Sequence, residues 1–251
     1  MIIAIDIGNT TAAFGFFSGD NLILRFSLPS SPRTTAEKCW TKLQGFLDPD
    51  MKIEGVICSS VSPDMTRVVK SFVEKYLKAP LKLLKVTNDI GIVNRYEKPE
   101  QLGADRIVNA LAVKKLYSLP AIIIDLGTAI TIDAVSRNSE FLGGIILPGI
   151  GISAEAMHKK TSLLPKVELI IPRSIVGKNT VAAMQSGLTY GFSGMLSFIV
   201  EKIKEELNME KPDVILTGGH ARIVESLLSN VVTAVDANLT LKGLNCAFGL
   251  I

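Results

Sequence analysis

The chain has 251 residues, 47% apolar and 20% charged, with 27 basic side chains against 24 acidic ones. That is the make-up of a globular protein with one large domain or two modest ones, and it excludes a disordered chain and a coiled coil. A net charge of +3 is too weak to imply nucleic acid; no apolar run reaches the ~18 residues of a membrane span, and the apolar start carries Asp6 and no basic leader, so neither a membrane nor a signal peptide is expected.

The first elements read as strand, turn, strand. Ile2 to Ile5 form a short buried strand, Asp6-Ile7-Gly8-Asn9-Thr10 a turn, and 11–17 resume the apolar character. A third strand follows at 22–28. Residues 35–47 have helical spacing, with Trp40, Leu43, Phe46 and Leu47 apolar; Trp40 is expected in the core. A strand over 55–61, an amphipathic helix over 63–77 and a strand over 81–86 complete a β-β-β-α-β-α-β first half. The helix over 103–117 begins acidic and ends in Lys114-Lys115, the charge order its dipole favours.

The opening pattern then returns. A buried strand over 121–124 leads to the turn Asp125-Leu126-Gly127-Thr128, and strands follow over 130–135 and 141–147. A helix is expected from about Ile150. A long helical region spans 180–207, interrupted near 187–194. A strand over 213–217 ends in Gly218-Gly219, and a helix, a last strand over 231–235 and a C-terminal helix close the chain. Residues 3–10 align with 122–129 at an offset near half the chain. One Asp-apolar-Gly hairpin arises easily by chance. Two of them, each opening a three-strand start, point to duplicated domains, 1–118 and 119–251, around a cleft.

Each hairpin ends a buried strand in a carboxylate beside a glycine, which lets backbone approach a ligand closely. Asn9, Thr10, Thr11 and Thr128 supply donors suited to phosphate oxygens. A carboxylate beside them repels phosphate unless a cation intervenes, so the arrangement implies Mg²⁺ held by Asp6 and bridging to a nucleotide. No P-loop signature is present. Residues 149–154 match G-x-G-x-x-A, but Pro148 precedes the first glycine and Glu168 falls inside an apolar run; the segment reads as a close-approach loop. Three well-separated cysteines give no disulfide framework and no metal spacing, which suits a reducing cytoplasm. Cys58 reads as a small buried hydrophobe. With only His158 and His220, a zinc site and a Ser-His-Asp triad are poor expectations, and neither histidine is given a role.

The two hairpins, with Thr217-Gly218-Gly219-His220 as a third loop, resemble the actin, sugar-kinase and heat-shock-chaperone ATPase superfamily. Within it the whole chain resembles the type III pantothenate kinases. The matches run in order through Asp6 to Thr10, Gly103-Ala104-Asp105-Arg106, Asp125 to Thr128, Gly143-Gly144-Ile145-Ile146-Leu147-Pro148-Gly149, and Gly177-Lys178-Asn179-Thr180 with Gln185-Ser186-Gly187. The resemblance implies an α/β fold of two duplicated actin-like, ribonuclease H-like domains, with mixed sheets flanked by helices. It also implies ATP-dependent phosphorylation of pantothenate in the cytoplasm, Mg²⁺, a monovalent cation (K⁺ or NH₄⁺), and a homodimer with a shared active site.

The roles it implies are residue by residue. Asp105 is the base that takes the proton from the pantothenate hydroxyl. Asp6, Ile7, Gly8, Asn9, Thr10, Thr11, Ala12 and Ala13 wrap ATP and Mg²⁺, and Thr128 contacts ATP. Asp125 binds the monovalent cation. Tyr96, Gly103, Ala104, Arg106 and Thr180 contact pantothenate, whose carboxylate suits a guanidinium fork. Two alternatives stay open: a sugar kinase of the same superfamily, and a non-catalytic nucleotide-binding regulator on the same fold.

Overall fold

The computed structural model describes residues 1–46 and 52–251. In chain order the first part carries β1 (Ile2–Ile7), β2 (Thr11–Ser18), β3 (Asn21–Pro29), α1 (Ala36–Leu43), β4 (Gly55–Ser60), α2 (Pro63–Phe72), β5 (Leu81–Leu83), the two-residue β6 (Val93–Asn94) and α3 (Ala104–Leu116). The rest carries β7 (Ala121–Leu126), β8 (Ala129–Val135), β9 (Glu140–Pro148), α4 (Ile150–Lys160), α5 (Thr180–Ser186), α6 (Phe192–Glu206), β10 (Asp213–Thr217), the single turn α7 (Ala221–Val224), β11 (Ala234–Val235) and α8 (Leu239–Phe248).

Two compact units result: Met1–Leu116 with Leu239–Ile251, and Tyr117–Asn238. The expected division placed everything after 118 in the second half, whereas α8 belongs to the first unit. Its Gly243 lies against α3 so closely that a Cβ there would overlap the Val108 carbonyl and come within 2.7 Å of Val108 Cγ1. Gly243→Ala therefore forces backbone apart, and about 1–3 kcal/mol of stability is expected to be lost in chemical denaturation.

In the first unit the strands run β3-β2-β1-β4-β5; in the second, β9, β8, β7, β10 and β11 neighbour one another in the same sequence. The first three strands of each set are antiparallel, and the remaining pairs are parallel. The repeat seen in two short motifs thus extends to strand order and direction. The hairpins differ by one residue: Ile7 pairs with Ala12, but Leu126 pairs with Ile130.

Alternation of apolar residues on β1, β2 and β4 builds the first core, with Phe14 stacked on Phe26 at 4.7 Å and edge-on to Phe72 at 6.3 Å. Ile122, Ile124, Ile132, Leu196, Val200 and Leu216 build the second. Trp40 packs against the first core as expected, at its margin: it is half-buried and stacks on Tyr76 at 5.2 Å. Phe46 is exposed, because α1 ends at Leu43, and Leu47 lies outside the described residues. The expected interruption at 187–194 is a π-helical turn, Gly187–Gly191, that joins α5 to α6 without breaking the helical path. Among the described residues no helix is long and apolar enough to cross a membrane.

Candidate active site

In the first unit, β1 carries Asp6 to its end, and the turn over 8–11 closes with the Gly8 amide donating to the Thr11 carbonyl at 3.0 Å. Asn9, Thr10 and Thr11 are exposed on this turn, while Ala12 is buried and Ala13 half-buried on β2. The parallel pairing of β1 with β4 sets Ser59 beside Asp6, and the Ser59 hydroxyl donates to Asp6 Oδ1 at 2.6 Å. Lost hydration pushes the Asp6 carboxyl up to about 6; the Ser59 hydrogen bond opposes the rise and the charge of Asp105 adds to it. Ser59 is buried and went unnoticed in the sequence, where it is one small residue in a strand; its only signal is the strand pairing. Burial also pushes the neighbouring Cys58 thiol up, with Asp6 adding to the effect, so Cys58 is the inert core residue expected.

The sensitivity of Asp6 to Asp105 brings the first hairpin and the head of α3 to one place. Asp105 is the second residue of α3, and its Oδ1 accepts the Arg106 amide at 2.9 Å. Ala104 opens the helix, and Gly103 precedes it. Arg106 is only 5% exposed. Its Nη1 donates to Tyr96 Oη at 2.9 Å, with the guanidinium 5.4 Å from the ring centre. Tyr96 and Arg106 therefore form one cationic, hydroxyl-bearing pair beside the Asp105 carboxylate.

The second unit gathers three loops. Asp125 ends β7, and Gly127 and Thr128 turn the hairpin. Gly149, between β9 and α4, donates its amide to the Thr128 carbonyl at 3.1 Å, and a Cβ at 149 would overlap the Gly127 and Thr128 carbonyls. Gly218, at φ +95°, lies on Asp125 and Leu126; a Cβ there would come within 2.5 Å of Asp125 Oδ1. The His220 amide donates to the Leu126 carbonyl at 3.1 Å, and its ring faces Gly151. The G-x-G-x-x-A segment thus does close on a hairpin. It opens no unit of adjacent parallel strands, because β10, the next strand after it, lies beyond β8 and β7 in the sheet.

The Asp125 carboxylate and the backbone carbonyls of these loops are oxygen donors, the kind that a hard cation takes. At the first hairpin a single carboxylate next to exposed hydroxyls fits a magnesium ion whose remaining ligands are phosphate and water. Among the described residues no group of three or more histidine, cysteine, aspartate or glutamate side chains is placed to hold a metal by itself. Thr180 stands elsewhere in the second unit, exposed at the head of α5, where Asn179 Oδ1 caps the helix from the Ala182 amide at 2.8 Å. Gly177 packs so tightly on Ala182 and Ala183 that a side chain there would overlap them.

The family described as type III pantothenate kinase matches residues 2–202. A type III pantothenate kinase of Finegoldia magna is 39% identical over 250 residues, which cover 97% of this chain and 95% of that protein. One from Bacillus cytotoxicus is 40% identical over 248 residues, covering 97% and 94%. Among solved structures, an inorganic polyphosphate/ATP-glucomannokinase from an Arthrobacter species superposes with a TM-score of 0.53 at 16% identity, over 99% of this chain and 98% of that one. At that identity the likeness concerns the fold alone.

Proposed function

This chain belongs to the type III pantothenate kinase family, and from that premise we propose that Asp105 is the base through which it works. The enzyme transfers the γ-phosphoryl group of ATP to the primary hydroxyl of pantothenate, giving 4'-phosphopantothenate, the first step towards coenzyme A. Phosphoryl transfer needs little covalent help from a protein; it needs alignment, charge neutralisation and a place for the hydroxyl proton. The Arg106 amide fastens Asp105 Oδ1 and leaves Oδ2 to accept that proton. The Arg106–Tyr96 pair holds the pantothenate end of the substrate. Asn9, Thr10, Thr11 and Thr128 offer donors to the phosphates. A magnesium ion at Asp6 would supply neutralising charge to the triphosphate.

The observation that carries this reading is the Asp105 carboxylate at the head of α3, with its Oδ1 held by the Arg106 amide at 2.9 Å; its negative charge also adds to the upward shift of the Asp6 carboxyl. That charge effect joins the proposed phosphate-binding turn to the helix that carries the proposed base. The test is ADP release, coupled to an indicator enzyme, with pantothenate and with a panel of sugars. Release driven by pantothenate alone is expected. Release driven by a sugar favours the sugar-kinase alternative, and no release with any acceptor favours the regulator.

We propose a monovalent cation at Asp125, where backbone carbonyls would have to complete an oxygen shell. Replacing KCl with NaCl at equal ionic strength is expected to lower turnover, and Asp125→Ala to erase the difference. Equal rates in sodium, potassium and a bulky organic cation would remove the assignment.

We also propose a homodimer in the cytoplasm, with Thr180 completing the partner's site. The support is an exposed apolar stretch beside Thr180: Ile175 at 61%, Val176 at 72% and Val181 at 42% exposure. All three cysteines are free thiols, as a reducing compartment requires. Asp105→Asn and Thr180→Ala, refolded together, would give mixed dimers with one doubly damaged site and one intact site. Random pairing restores about a quarter of all sites. A mixture no more active than its parents, with mixed dimers confirmed by mass, contradicts sharing.

A further inference from the structure

Gly103 immediately precedes α3, and its carbonyl accepts the Arg106 amide at 3.2 Å and the Ile107 amide at 3.4 Å. Two ordinary reasons for a glycine are missing here. Its φ is not positive, so the backbone conformation is open to other residues. The helix start does not call for it either, since serine or aspartate caps a helix at least as well. What does call for it is space. A Cβ at 103 would overlap Asp105 Oδ1 and come within 3.5 Å of Asp105 Cγ; the next atom, Arg106 Cδ, is at an ordinary contact distance of 3.9 Å. The volume left by the missing side chain is filled by the Asp105 carboxylate, which from that position takes the Arg106 amide at 2.9 Å.

We propose that Gly103 is a positioning residue for Asp105 and not a contact for pantothenate. The inference rests on the reading of Asp105 as the base. Any side chain at 103 turns the carboxylate off the Arg106 amide. The carboxylate is the free end of a short side chain, so the fold yields without unfolding, and the change is felt as misplacement of the proton acceptor. A displacement of about 1 Å at a reacting group is enough to cost on the order of 10²-fold in rate.

The test uses Gly103→Ala and Gly103→Ser, each in wild-type enzyme and in Asp105→Ala. Serine carries the same Cβ and still caps the helix, so Gly103→Ser separates loss of position from loss of stability. Both variants are expected to lower kcat by roughly 10–100-fold, with the calorimetric affinity for pantothenate unchanged and the melting temperature of Gly103→Ser not reduced. In the Asp105→Ala enzyme neither change should lower the residual rate further, because no carboxylate remains to be displaced. Wild-type turnover in Gly103→Ser overturns the proposal. So does weaker pantothenate binding with kcat unchanged, or the same fractional loss in the Asp105→Ala enzyme. Wild-type turnover in Asp105→Ala alone is a separate result, which overturns the base assignment itself.

Discussion

Asp105→Asn is expected to lower turnover on the order of 10²–10⁴-fold, about 3–5 kcal/mol of barrier, while ATP binding stays as it is. The amide has the size of the carboxylate, and its oxygen can still accept the Arg106 amide, so the head of α3 keeps its geometry. Only the capacity to take a proton is lost. Nucleotide affinity is expected to hold because the proposed phosphate donors lie on the hairpin turn and not on α3. Calorimetry with a non-hydrolysable ATP analogue, run beside steady-state kinetics, separates the two effects. Turnover near that of the parent enzyme removes Asp105 from the role.

Asp6→Asn is expected to change activity and stability in opposite directions. Its pKa is raised from 3.8 to about 6, chiefly by lost hydration. Between those values the folded chain holds a proton that the unfolded chain has released, so stability falls as pH rises through that window and stays lower above it. The difference is worth up to ~3 kcal/mol. Asparagine has nothing to ionise and still accepts the Ser59 hydroxyl. At pH 7.5 the metal-free variant should resist denaturant better than the parent, by about 1–3 kcal/mol, and the advantage should vanish below pH 4. Activity should fall on the order of 10²–10³-fold, the scale of losing one preorganised charge at a phosphoryl site. Magnesium should stabilise the parent and not the variant. Equal stability at both pH values would show that Asp6 ionises freely.

The sequence makes much of this fold legible, for physical reasons that differ by element. Buried strands ending in Asp-apolar-Gly identify themselves, and once two are seen, the shared order of the flanking strands follows. Helix α3 is legible because its charges follow its dipole. The membership of α8 in the first unit is not legible: its apolar face has no address, and only the approach of Gly243 to Val108 shows where it docks. Trp40 reaches the core but only its margin, because helical spacing places a residue on a face without saying how deeply that face is covered. Among the candidate residues, Asp6, Asp105 and Asp125 stand out as carboxylates in motifs. Ser59 does not, since its meaning depends on the pairing of β1 with β4. Gly103 is visible in its motif, but the reason for the glycine is the carboxylate two residues on.

The most direct measurement of the central claim is the identity of the phosphorylated product. ³¹P NMR of the enzyme with ATP, Mg²⁺, KCl and pantothenate should show one new phosphomonoester signal, growing in step with ADP and coupled to the methylene protons of the primary alcohol. The same sample with Asp105→Asn should show neither signal on that timescale. ATP consumption that yields inorganic phosphate without an ester, or an ester that forms equally fast in Asp105→Asn, would contradict the account.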